Sequence, residues 1–273
     1  MQSAGLSAKL TALGGGRRLT QDSLPSEGTL GQAISVVMRA AQQQLDAVRS
    51  GPLAGARINH QSTLSLFDCQ QQMHAFFPDE YPIPGDGARG RSMRPDGGIV
   101  SVTVAGRWHP LLVTEDKIQG TNDIRFAKEL GRQATGNAIE RAAKNIRGAE
   151  MAFLAPDQKL FPYIVFAAGC DFHSSETIAS RLEMMNYGVP NAAFEVTPSN
   201  VEVTPRLIDR LEHMSCKKRF GGRAVASIFI KTHKWDEMPH GSSNWSTPER
   251  VLVCGWAMKQ SMDQLFSTYR QSS

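Results

Sequence analysis

Asp96, Glu115, Asp116 and Lys117 are the residues of this chain whose types and spacing suit chemistry. Pro95-Asp96 opens one apolar run, and Glu115-Asp116-Lys117 closes the next. Side chains at i and i+2 of an extended chain share a face. Glu115 and Lys117 therefore point one way, and Asp116 points the other. Two carboxylates and an ammonium brought to one point make a site for a hard divalent cation and an attacking water. Oxygen donors suit magnesium, which keeps several of its own waters and uses one or two protein carboxylates. An acid-x-lysine pair alone is more often a surface ion pair, so the case rests on what positions these groups.

A β-hairpin is expected to do so. Residues 97–104 (GGIVSVTV) alternate apolar and polar positions with a β-branched bias, which predicts a strand. Ala105-Gly106-Arg107 supplies the turn, and Trp108 to Thr114 the returning strand. The sequence separation of 19 from Asp96 to Glu115 suits two ordinary strands and a short turn, which sets the acids side by side.

Several blocks along the same stretch resemble the EcoRI family of type II restriction endonucleases, within the PD-(D/E)xK nuclease superfamily. In order they are residues 94–100 (RPDGGIV), 112–120 (LVTEDKIQG), 136–141 (GNAIER), Lys144-Asn145-Ile146 and Phe161-Pro162-Tyr163. The close resemblance runs from Arg94 to Pro190 and is looser on either side. It implies an α/β fold, a mixed β-sheet flanked by helices with the restriction-endonuclease-like core. It also implies catalysis by Asp96, Glu115 and Lys117, with Mg2+ bound by Asp96, Glu115 and the backbone carbonyl of Asp116. Lys117 would steady developing negative charge and orient or deprotonate the water, two roles the sequence does not separate. Asp116 stands where the family has a small apolar residue, and strand alternation makes its side chain structural.

A helix is expected over 135–153, with Ile139, Ala143, Ile146 and Phe153 inward and Arg141, Lys144, Asn145 and Gly148 away from that face. By spacing alone it is a surface helix with a weak Glu140–Lys144 ion pair. The resemblance makes it the recognition segment, with Asn137, Ala138, Glu140 and Arg141 contacting bases, and Lys144 and Arg181 completing the expected DNA-binding set. Asn pairs with an adenine edge and Arg with guanine or neighbouring acceptors. Ile178 replaces a second arginine, Gln133 replaces a methionine, and the stretch between Gly120 and Gly136 is shorter than in the family. Each bidentate contact carries roughly 1–3 kcal/mol of discrimination. The AATT core is therefore the firmer half of the expected site, with GAATTC leading and CAATTG or RAATTY open. A palindromic site implies a homodimer on double-stranded DNA, paired in function with a methyltransferase of the same specificity. Two other classes remain: a structure-specific nuclease of the superfamily, and an inactive sequence-specific DNA-binding protein.

The rest of the chain agrees. A net charge of +4 and a pI near 8.9 suit an acidic partner without forming a polybasic tail. Cys69, Cys170, Cys216 and Cys254 are far apart, so buried thiols in a reducing, cytoplasmic setting are expected. The N-terminus shows no signal-peptide pattern, and no run is long and apolar enough for a membrane span. Residues 1–28 are expected to be a flexible arm, and 29–273 a single catalytic and DNA-recognition domain. Helices are expected over 29–49, with Thr29 as N-cap, and over 257–269, with Met258, Met262, Leu265 and Phe266 inward. Residues 78–90 form a Pro/Gly-rich connection. Residues 161–168, 224–230 and 251–254 are expected as further strands.

Overall fold

The computed structural model describes residues 23–118, 158–169, 192–198, 226–232 and 245–270, with positions 125, 128–131, 145–146, 148–149 and 153 between them. Helix α1 (Ser23–Asp46) buries Leu30, Ile34, Val37, Ala41 and Leu45, the stripe that its apolar spacing requires. It begins at Ser23, so Thr29 lies within the helix and does not cap it, and residues 23–28 belong to the helix. The arm expected before it lies otherwise outside the described residues. Strands β1 (Ile58–Gln61) and β2 (Leu64–Ser65) follow. Helix α2 (Leu66–Phe76) is capped by Ser65, whose hydroxyl accepts from the Asp68 N–H. The connection over 78–90 holds only a 3-10 turn at Asp86–Ala88 and leads into β3 (Ser92–Met93), which pairs with β2.

The predicted hairpin forms as β4 (Ile99–Val104) and β5 (Arg107–Ile118). Val104 pairs with Arg107 across a two-residue loop in which Ala105 and Gly106 have φ of 49° and 78°. Positive φ at both positions is the turn whose twist matches that of the flanking strands. Pro110, which has no N–H to donate, sits opposite Ser101 where the register shifts, the position at which a strand tolerates proline. Strands β6 (Tyr163–Ala168), β7 (Ala192–Pro198) and β8 (Ala226–Thr232) complete a sheet ordered β1-β4-β5-β6-β8-β7. Pairing is antiparallel from β1 to β5 and parallel from β5 onward, so the sheet is mixed as expected.

Helix α3 (Thr247–Arg270) and α1 pack together over one face of this sheet. Val100, Val102, Leu112, Ile164, Phe166 and Phe229 are buried there with Trp245. Each fully buried large apolar side chain contributes roughly 1.5–3 kcal/mol. On the other face Ile99, Val113, Val165 and Ile228 meet Phe161, Ile146 and Phe153. Met258, Met262 and Leu265 are buried and Phe266 packs on the core, as their helical spacing predicted.

The strand expected at 251–254 is instead part of α3, and the helix starts ten residues before the expected position 257. The reason is a capping box at Ser246. Its N–H and hydroxyl both reach Glu249 Oε2, at 2.9 and 2.8 Å, and Pro248 sits in the first turn. Val251 to Cys254 is then the apolar face of a helix already nucleated, and its β-branched residues do not decide the outcome.

Glu249 also pairs with Lys231, and both side chains are buried. Burial alone would raise the Glu249 pKa, but the hydrogen bonds from Lys231 and Ser246 outweigh it and hold the group below its ordinary 4.5. A depressed folded-state pKa contributes stability above the unfolded value that is lost as pH falls through the folded one. Melting curves between pH 3 and 7 are therefore expected to show a steeper acid decline for the parent protein than for Glu249→Gln, starting below about pH 4.5.

Candidate active site

Asp96 is set by a turn fastened to β5. Gly97 N–H donates to Thr114 O at 3.0 Å and Gly98 N–H to Pro95 O at 3.0 Å. His60, from the edge strand β1, meets Gly97 O at 2.8 Å. Both glycines are required. Gly98 has a φ of +72°, and a Cβ there would lie 2.6 Å from Gln61 O. A Cβ on Gly97 would lie 1.8 Å from Thr114 Oγ1 and 2.7 Å from Ile34 Cδ1.

The hairpin brings the expected catalytic residues together. Lys117 Nζ donates to Glu115 Oε1, lies 3.5 Å from Asp96 Oδ2 and lies 3.3 Å from the Asp116 carbonyl. Asp116 N–H donates to Asp96 Oδ2 at 3.0 Å. The side chains of Asp96, Glu115 and Lys117 are 5, 3 and 12% exposed, so water screens these charges little. Asp116 points through to the opposite face, as alternation predicted. Its Oδ1 accepts from Arg250 Nη1 at 2.5 Å, in the first turn of α3.

Two partners of Glu115 were not expected. Tyr163 donates to Glu115 Oε2 at 2.9 Å, because the parallel register sets Val113 beside Tyr163 and Glu115 beside Val165 on the same face. Asn145 donates to Glu115 Oε1 at 2.7 Å. Helical spacing placed Asn145 away from the buried face of its segment. The structure keeps Ile146 and Phe153 buried but turns Asn145 to the acid. Gly148, also expected outward, lies against Met93, whose sulfur would be 3.0 Å from an added Cβ. One signal for Tyr163 was available: its hydroxyl is the only one in an otherwise apolar run.

Burial, then the adjacent Glu115 charge, push the Tyr163 pKa well above 10. The phenol therefore remains a neutral donor across the working pH range and fixes one Glu115 oxygen. On the reading of Glu115 as a metal ligand, Tyr163→Phe is expected to weaken metal affinity or activity by roughly 10–100-fold, the usual effect of removing a hydrogen bond to a ligand. A metal-binding titration on the folded variant checks this.

The donors present fit a hard cation. The carboxylates of Asp96 and Glu115 converge on one positive charge, Lys117 Nζ, and the Asp116 carbonyl lies beside it. Among the described residues, no three His, Cys, Asp or Glu side chains gather at one point. The donor set is thus two carboxylates and a carbonyl, which suits magnesium with its own waters. Of the expected DNA-binding residues, Asn137, Ala138, Glu140, Arg141, Lys144 and Arg181 lie outside the described residues.

Comparison with known proteins bears on the same segment. The family model "Restriction endonuclease EcoRI" matches residues 88–265. The chain is 43% identical over 165 residues to the type II restriction enzyme RsrI of Cereibacter sphaeroides, covering 54% of this chain and 52% of that protein. It is 35% identical over 124 residues to the type II restriction enzyme EcoRI of Escherichia coli, covering 40% of this chain and 44% of that protein. The chain thus spans about half the length of each relative or less. The family match takes in the Asp96 turn, the hairpin, Tyr163 and the first turn of α3. This chain belongs to the EcoRI family of restriction endonucleases.

Proposed function

We propose that this protein is a type II restriction endonuclease that uses Mg2+ to cut both strands of DNA at a palindrome with an AATT core. GAATTC is the leading full site. The observation that carries this reading is the convergence of Asp96 and Glu115 on Lys117, at the end of a hairpin held in register by the Asp96 turn. Asp96, Glu115 and the Asp116 carbonyl would hold the cation. When bound, it supplies a Lewis acid for the scissile phosphate and lowers the pKa of a water.

The chain's own residues do the rest. Lys117 exchanges part of its contact with the carboxylates for the phosphate, and donates to the oxygens on which charge grows. Tyr163 and Asn145 hold Glu115 in one rotamer, and the buried surroundings keep bulk water from screening these charges. Asn137, Ala138, Glu140, Arg141, Lys144 and Arg181 would read and grip the DNA, one half-site per subunit of a homodimer. A methyltransferase of the same specificity would protect host DNA. No described helix is long and apolar enough to cross a membrane.

Digestion of a sequenced phage genome with Mg2+, followed by sequencing of the fragment ends, tests this reading. Ends falling within one AATT-centred palindrome support it and identify the outer base pair. Ends with no common sequence would move the protein to the structure-specific nucleases. Sequence-specific binding without cutting would make it an inactive relative.

A further inference from the structure

The Asp116–Arg250 pair lies on the far side of the sheet from the metal donors, yet it is attached to the peptide on which they depend. Asp116 N–H donates to Asp96 Oδ2 at 3.0 Å, and the Asp116 carbonyl faces the same point as the two carboxylates. The side chain of this residue goes the other way and meets Arg250, which is fully buried, while Asp116 is 7% exposed. Arg250 is itself fixed on several sides. Its Nε donates to Trp245 O at 3.3 Å, and its guanidinium lies 4.9 Å from the centre of the Phe166 ring. Phe166 is the register partner of Asp116 on β6, and Trp245 Nε1 donates to Ala167 O at 2.9 Å. Trp245 and Arg250, on either side of the capping box that starts α3, are thus tied to two adjacent strands where they carry the site.

We propose that Arg250 is a positioning residue for the metal site, holding the Asp116 peptide so that its N–H and carbonyl meet Asp96 and the cation together. This inference rests on the reading of Asp96 and Glu115 as metal ligands. Burial alone does not require an ion pair here, since replacing a buried pair with apolar groups is often neutral for stability. Removing only one partner strands a buried charge and is strongly destabilising. The double replacement therefore separates the two roles. Asp116→Ala/Arg250→Met takes away the tether without leaving a buried charge.

The experiment is calorimetric titration of the full chain with Mn2+ alone, alongside thermal melts. The parent protein is expected to bind, and Glu115→Gln to lose binding. The double variant is expected to melt near the parent temperature but to bind Mn2+ at least about tenfold more weakly, as for other residues that orient ligands. Arg250→Lys keeps the charge and loses the second donor to Trp245. It is expected to bind with intermediate affinity, and it carries the test should the double variant fail to fold. Parent-like Mn2+ affinity in the folded double variant, or in a lower-melting Arg250→Lys, would make the pair purely structural and overturn the proposal. Absence of Mn2+ binding by the parent, or binding indifferent to Glu115→Gln, would overturn the reading of the site and this role with it.

Discussion

Glu115→Gln is expected to lower Mg2+-dependent DNA cleavage by at least about 10²–10³-fold, the scale of losing one preorganised electrostatic group, while leaving sequence-specific binding in place. The substitution is isosteric. Lys117 keeps its contact with Asp96, but the single amide oxygen serves either Tyr163 or the pair Lys117 and Asn145. The side-chain hydrogen bonds around position 115 must therefore rearrange, and a modest loss of stability is expected beside the loss of cleavage. What disappears is one of two negative charges that converge on a single point. On the proposed reading, a cation that two carboxylates and a carbonyl would hold is left with one carboxylate. Cleavage of a labelled duplex, measured beside binding in metal-free buffer, checks both halves. A variant that cuts at the parent rate would mean that Glu115 is no metal ligand.

The second large effect is expected from a residue with no functional group. Gly97→Ala should destabilise the fold by about 1–3 kcal/mol or more, the range for overpacking a tight site. For a chain of this size that is a melting temperature lower by roughly 2–10 °C. A methyl at Gly97 would overlap Thr114 Oγ1 at 1.8 Å, with Ile34 also within 3 Å, so either Thr114 and Ile34 leave their rotamers or the turn lifts from β5. Lifting it breaks the Gly97 N–H bond to Thr114 O and carries Asp96 away from Glu115. Cleavage should therefore fall further than stability alone predicts. Thr114→Ala in the same chain removes the closest clashing atom and should return part of the lost melting temperature. If Gly97→Ala melts as the parent does, the close approach of turn and strand is wrong.

These two residues also show how far the sequence carries. The hairpin was legible because β4 alternates, the Ala-Gly turn is short, and i and i+2 positions of β5 must share a face. That is enough to bring Glu115 and Lys117 together and to send Asp116 away. The partners that arrive from elsewhere were not legible. Tyr163 meets Glu115 only through the parallel register of β6 on β5, which is set by a crossover and not by a turn. Asn145 has an outward position by helical spacing, but the acid it meets belongs to a different element. Arg250 was missed for another reason. The apolar, β-branched run after it suggested a strand, whereas Ser246 and Glu249, three residues apart, already marked the start of a helix. The Thr29 boundary failed because α1 begins six residues before it, at Ser23. Asp22 just ahead and Pro25 in the first turn are the helix-start signals, and Thr29 was read in their place.

The most direct test of the central claim, that Asp96, Glu115 and Lys117 form a magnesium-dependent phosphodiesterase centre, uses a linear duplex carrying a single GAATTC. The full chain is incubated with this duplex in Mg2+ and, separately, in excess EDTA, and the products are sized on both strands. The account predicts two fragments from each strand, with ends inside the GAATTC palindrome, in Mg2+ and intact duplex in EDTA. Equal cutting in the two conditions would contradict it, as would a duplex left whole in Mg2+ by a protein that binds the site.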